Sequence, residues 1–208
     1  MNKKGFTLLE ILFIILLLLI ITAYINLNQP INKLDLATKR LALYLKETRY
    51  IALIDDKYNH EDPLWHKMRW TLKFFRCNKN IGGIYYIVYT DKNKKGHPNV
   101  DEALDDPLTK RKIFTTNQCT ETSNHSKYVL LTKEFDIVDI DITCNETSGL
   151  GQISFGSDGR VYSKLSSNEG EFYEYEIEKK CIIKLLDKKG EEKSIEVLPK
   201  TGYILKKE

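Results

Sequence analysis

Residues 6–25 read FTLLEILFIILLLLIITAYI, and Glu10 is the one charged residue among them. Twenty helical residues rise about 30 Å, roughly the thickness of a hydrocarbon core. This stretch therefore predicts a membrane-spanning helix, which the chain's averages hide. Over 208 residues the chain is 42% hydrophobic and 29% charged, with a net charge of +3 and a mean hydropathy of −0.38. Those averages describe one polar globular domain. They exclude a polytopic membrane protein, a collagen-like repeat and a disordered chain. A charge of +3 at this length is too weak to argue for nucleic acid by itself.

Outward from the apolar run, the chain begins Met1-Asn2-Lys3-Lys4-Gly5. A short basic leader before an apolar helix keeps the N-terminus cytoplasmic by the positive-inside rule. A secretory signal peptide would end at small residues, and Ala23 is a poor cleavage site because Ile21 lies two positions before it. A plain anchor leaves Glu10 unexplained, since an acid inside an apolar span is costly and by default functional.

The run Lys3-Lys4-Gly5-Phe6-Thr7-Leu8-Leu9-Glu10 closely resembles the class III signal of type IV prepilins and pseudopilins. The resemblance implies cleavage between Gly5 and Phe6 by a prepilin peptidase, and N-methylation of Phe6. It also implies that Glu10 pairs with the terminal amine of a neighbouring subunit during filament assembly. An unpaired charge in hydrocarbon costs several kcal/mol, so such a pair would set helix register.

Beyond the apolar run, Asn26, Asn28, Gln29 and Asn32 mark a return to polar surroundings, and Pro30 predicts a helix kink. Ile31, Leu34, Leu41, Leu45, Thr48 and Ala52 then share one helical face, which predicts a helix packed on a sheet. The run Asn59-His60-Glu61-Asp62-Pro63 ends it. Strands are expected at Arg69–Phe75 and Ile84–Thr90 as a hairpin, at Tyr128–Leu131 and at Phe135–Thr143. Two further hairpins are expected, Gln152–Phe155 with Arg160–Ser163, and Cys181–Leu186 with Lys193–Leu198. Residues 91–127 read as a long polar excursion with a short strand near Ile113–Thr115.

Three of these stretches narrow the resemblance. Leu41–Ala52 (LALYLKETRYIA), Gln152–Arg160 (QISFGSDGR) and Ser194–Ile204 (SIEVLPKTGYI) are similar, in that order, to segments of the GspH/FimT group of minor pseudopilins. That group has an arginine near the helix end, an F-x-x-D-G turn and a terminal T-G segment. The resemblance implies an α+β, pilin-like fold in which a long N-terminal transmembrane helix packs on antiparallel β-sheet. Its parts would be a leader at 1–5, the transmembrane half of the helix at 6–27, the periplasmic half at 28–58 and a β-rich periplasmic domain at 59–208. It implies no enzyme activity and no cofactor. The implied place is the bacterial inner membrane, crossed once.

The cysteines Cys77, Cys119, Cys144 and Cys181 all follow the apolar run and so would face an oxidising compartment. No C-x-x-C pair occurs and the four histidines are scattered, which argues against zinc. Three pairings are open. Cys77–Cys119 with Cys144–Cys181 is preferred, because each bond closes a loop of about forty residues. The chain lacks a G-x-S-x-G elbow, a P-loop and an H-E-x-x-H motif. Asp136, Asp139 and Asp141 do not all share one face of a strand and read as solvated. Asp101, Asp105 and Asp106 do not match a calcium loop and read as loop acids, so no metal is expected.

Charge is uneven. Residues 97–146 hold ten acids against five Lys or Arg, whereas residues 179–208 hold nine lysines against five acids. In the FimT branch a basic tail is associated with DNA. Lys200, Lys206 and Lys207 are the corresponding candidates here, as lysine neutralises phosphate as a point charge. The expected function is a minor pseudopilin, a structural subunit of the pseudopilus of a type II secretion-like system. Its partners would be prepilin peptidase, other pseudopilins and the inner-membrane assembly platform. The alternative is a minor type IV pilin or competence pseudopilin that binds DNA for uptake.

Overall fold

The computed structural model describes residues 7–27 and 32–207, and its side-chain account of the first helix ends at Tyr24. The chain divides into two compact units, Met1–Asn32 and Lys33–Glu208. The first contains α1 (Leu8–Leu27), whose described side chains are all exposed. The second contains α2 (Lys33–Ile54), β1 (Trp70–Arg76), β2 (Ile84–Tyr89), α3 (Leu131–Phe135), β3 (Ile137–Ile142), β4 (Gln152–Phe155), β5 (Val161–Tyr162), β6 (Cys181–Asp187), β7 (Glu192–Val197) and β8 (Ile204–Lys206).

These elements correct the expected fold class. Among the described residues, no helix is long and apolar enough to cross a membrane. The N-terminal helix α1 is short, and its described side chains are exposed. The helix that packs on strands is α2, and the strands form two antiparallel sheets rather than one. The fold is mixed α/β, with one four-stranded sheet ordered β2-β1-β4-β5 and another ordered β3-β6-β7-β8. The expected kink at Pro30 and the polar residues Asn28 and Gln29 lie outside the described residues.

α2 forms because its apolar positions recur every three or four residues. Leu34, Ala37, Leu41, Tyr44, Leu45 and Ala52 are buried on that face, together with Thr38 and Thr48. A buried threonine needs a partner, and both find one in their own helix. Thr38 Oγ1 donates to the Leu34 carbonyl at 2.7 Å, and Thr48 Oγ1 donates to the Tyr44 carbonyl at 2.6 Å. The face lies against β1 and β4 of one sheet and against β6, β7 and β8 of the other. One contiguous core results, in which Leu41 and Leu45 join Leu72 and Phe74 of β1 and Ile195 and Val197 of β7.

The hairpins β1–β2 and β6–β7 pair in antiparallel register, Phe74 opposite Tyr86 and Ile183 opposite Ile195. Two expected strands are corrected. Residues 127–129 form a single 3-10 turn leading into α3, where Tyr128–Leu131 predicted a strand. A short apolar run has no period long enough to separate the two. Ile113–Thr115 forms no strand. Ile113 instead makes irregular backbone bonds with Val88 and Leu104 beside β2. The polar excursion is also less solvated than its composition suggests, since Ile113, Phe114, Glu102 and Asp106 are buried.

Candidate functional site

Gly5 and Phe6, the expected cleavage and methylation positions, lie outside the described residues. Glu10 is described, and its carboxylate is occupied. Thr7 donates to Glu10 Oε2 from its backbone nitrogen at 2.8 Å and from Oγ1 at 2.9 Å. The Glu10 nitrogen in turn donates to Thr7 Oγ1 at 3.4 Å. This is a capping box: the first helical donors lack intrahelical acceptors, and Thr-x-x-Glu supplies them. Thr7-Leu8-Leu9-Glu10 carries that signal in plain letters. It gives the acid a duty within its own helix, beside any duty between subunits.

In the second unit, the three stretches that narrowed the resemblance meet at one place. Arg49, near the end of α2, donates from Nε to the Thr201 carbonyl at 2.7 Å. Gly159, in the turn between β4 and β5, has φ +83, and a side chain there would meet the Lys200 carbonyl at 3.3 Å. Gly202 has φ +62, and a side chain there would meet Phe155 at 3.0 Å and Val161 at 3.2 Å. Positive φ and close approach both favour glycine. The β4–β5 turn and the 199–203 segment are thus docked on each other, and Arg49 ties them to α2. This junction joins the two sheets. Around it Tyr50, Ile54 and Tyr203 stay exposed.

The basic C-terminal end is largely neutralised. Lys206 Nζ lies 2.6 Å from Asp35, which also takes Lys39 at 2.6 Å and Lys193 at 3.1 Å. Lys207 and Lys180 share Glu196 at 2.8 and 3.1 Å. Lys200 is exposed in a turn with φ +63. The three lysines therefore do not form a common unpaired cationic patch.

The same pairs predict how stability responds to acid. Lys206 and then Lys39 hold the Asp35 carboxyl well below the usual carboxylate range. Lys188 and then Lys33 hold Asp136 down to about 2. A depressed folded-state pKa contributes stability above the unfolded value, and that stability is lost as pH falls through the folded value. The melting temperature should be flat near neutrality and fall between about pH 4 and pH 2. Scanning calorimetry across that range checks this, and Asp136→Asn should make the descent shallower. An identical descent in the variant would remove Asp136 from the account.

The other singled-out residues take structural places. Cys77 is bonded to Cys119 and Cys144 to Cys181. Asp106, read from sequence as a solvated loop acid, is fully buried. It accepts from Tyr44 Oη at 2.6 Å and Ser126 Oγ at 3.3 Å, fastening the excursion to α2. Burial and then the Asp106 bond push the Tyr44 hydroxyl well above its usual range. Asp105 pairs with Lys112 at 3.0 Å, and Asp101, Asp139 and Asp141 are exposed. Among the described residues, no group of three or more His, Cys, Asp or Glu is placed to hold a metal ion.

Sequence reading passed over Arg69. It is buried, its guanidinium 3.8 Å from the Tyr162 ring centre and 4.9 Å from that of Trp65. Its Nη1 donates to the Phe172 carbonyl at 2.6 Å. Aromatic faces stand in for a carboxylate here, and they pin the 163–177 segment to the first sheet. The cue in the letters was weak: one arginine before a strand, with its aromatic partner Tyr162 far along the chain.

No family profile matches the chain, and neither curated proteins nor solved structures give a match.

Proposed function

We propose that the chain is a minor pseudopilin-like structural subunit of a secretion-type filament. A prepilin peptidase matures it between Gly5 and Phe6, and it assembles with other pseudopilins through its N-terminal helix. The observation that carries this reading is Lys3-Lys4-Gly5-Phe6-Thr7-Leu8-Leu9-Glu10 leading directly into α1. Two features add support. From Leu8 to Ile21 the large apolar side chains of α1 are exposed, a surface suited to burial against equivalent helices. The two disulfides suit a body held in an oxidising compartment such as the periplasm.

DNA reception by Lys200, Lys206 and Lys207 draws less support, because Asp35 and Glu196 already neutralise two of the three. The reading makes an all-or-none prediction. In cells with the peptidase, the native protein should begin at methylated Phe6, and Gly5→Ala should leave the full precursor. Intact-mass spectrometry reads both. A wild-type protein that keeps Met1, or is cut elsewhere, overturns the proposal.

A further inference from the structure

Lys73 lies in the middle of β1, with Ile87 of β2 and Gln152 of β4 as its neighbours across the first sheet. Successive strand residues point to opposite faces. Phe74 meets Tyr86, and Tyr86 meets Tyr44 of α2, with ring centres 6.0 and 5.9 Å apart. Lys73 therefore projects from the face that α2 does not cover. Two grooves open there. One, of about 490 Å³, is lined by Lys67, Lys73, Lys95, Lys164, Tyr89 and Gln152 among others. The second, of about 510 Å³, lies beside Arg76 and the 147–151 loop. Lys73, Thr147 and Ser148 line both. Each volume is in the range of small-molecule sites.

What sets these grooves apart is that they gather several cations without an ion pair around the half-buried Lys73. Lys33, Lys94, Lys112, Lys188, Lys193 and Lys206 each have a carboxylate within ion-pair distance. Among the described residues, no such pair involves Lys67, Lys73, Lys95, Lys164 or Arg76. Two carboxylates do line the first groove, Asp91 and Glu146. Asp91 already accepts from the backbone nitrogens of Lys95 at 3.1 Å and Gly96 at 2.7 Å. Lys67 donates to the Lys94 carbonyl, and Lys164 lies 4.7 Å from the Tyr175 ring centre. Lys73 lies 5.3 Å from the Phe75 ring centre. Burial pulls its ammonium below the ordinary lysine range, which Asp91 partly opposes. Among the described residues this half-buried ammonium has no hydrogen bond and no carboxylate within ion-pair distance, and such a group gains most from an anion brought to it.

We propose that this face of the first sheet binds a small ligand carrying a carboxylate or phosphate, with Lys73 as its central counter-charge and Lys164 at the rim. Tyr89, Gln152 and Ser148 offer polar contacts to the body of the ligand. The site is independent of the filament reading.

The test uses the full-length chain, kept soluble in a non-ionic detergent and titrated with inorganic phosphate or citrate at constant ionic strength. Calorimetry reads binding, and mass spectrometry reads acylation of Lys73. At least one anion should bind saturably and protect Lys73, while chloride does not. Lys73→Met should weaken binding tenfold or more, as losing one charge-assisted bond does. Lys200→Met, distant in the sequence and absent from both linings, should leave it unchanged. If Lys73→Met does not fold, Lys164→Met should still weaken binding severalfold. Protection that follows ionic strength alone, or affinity unchanged in a folded variant of Lys73 or Lys164, overturns the proposal.

Discussion

Serine at both Cys77 and Cys119 is expected to destabilise the second unit by about 4 kcal/mol, and serine at both Cys144 and Cys181 by nearly as much. The bonds join residues 42 and 37 positions apart. In the chain-entropy picture each removes freedom from the unfolded chain that grows with the logarithm of that span. In the folded unit they tie different things. Cys77 follows the last residue of β1 and holds the polar excursion through Cys119. Cys144 lies just past β3 and Cys181 opens β6, so the second bond staples neighbouring strands. Thermal unfolding followed by circular dichroism should show each melting temperature lowered by roughly 8–16 °C. A loss below about 1 kcal/mol would mean that other contacts already restrict that loop in the unfolded chain. Losing both bonds would remove about 8 kcal/mol, comparable to the whole stability of an ordinary domain. The reduced protein should therefore be largely unfolded at 37 °C.

Gly202→Ala is expected to cost about 2–4 kcal/mol, the second large effect. Two terms add. A left-handed backbone costs a non-glycine residue about 1 kcal/mol or more, and φ is +62 here. A methyl group at 3.0 Å from Phe155 and 3.2 Å from Val161 must also displace one of them, an overpacking cost of about 1–3 kcal/mol. Gly190→Ala separates the terms, because φ is +84 there but nothing lies within 4 Å of the added carbon. It should cost only about 1 kcal/mol. Equal losses in the two variants, measured by urea denaturation, would show that the clash at the sheet junction is relieved without cost.

Local pattern carried much of this fold. The face of α2 follows from the spacing of Leu34, Leu41, Leu45, Thr48 and Ala52, all of which are buried. The hairpins β1–β2 and β6–β7 follow from β-rich runs flanking turns, and the Gly156–Gly159 turn sits where its letters place it. What pattern could not carry was partnership across the chain. Asp106 looks like a loop acid until Tyr44, 62 residues earlier, is placed against it. Lys206 and Lys207 look like a cationic tail until Asp35 and Glu196 arrive. The division of eight strands into two sheets depends on β1 pairing with β4, across the whole excursion. Glu10 shows the opposite case, since its capping partner lies only three residues away. There the costliness of an acid in an apolar run drew attention from a simpler local pattern.

Arg49 to Thr201 and Asp35 to Lys206 are contacts between the start and the end of the second unit, 152 and 171 residues apart. Contacts of such high sequence separation form slowly, because a long loop must close before they contribute. Synthesis delivers the chain N-terminus first, so α2 emerges long before β7 and β8, which cover part of its apolar face. Part of that face stays uncovered until β7 (Glu192–Val197) and β8 (Ile204–Lys206) have been made. Closing the second unit is therefore a late step, and a chain interrupted before β7 would leave part of the apolar face of α2 exposed and prone to aggregate.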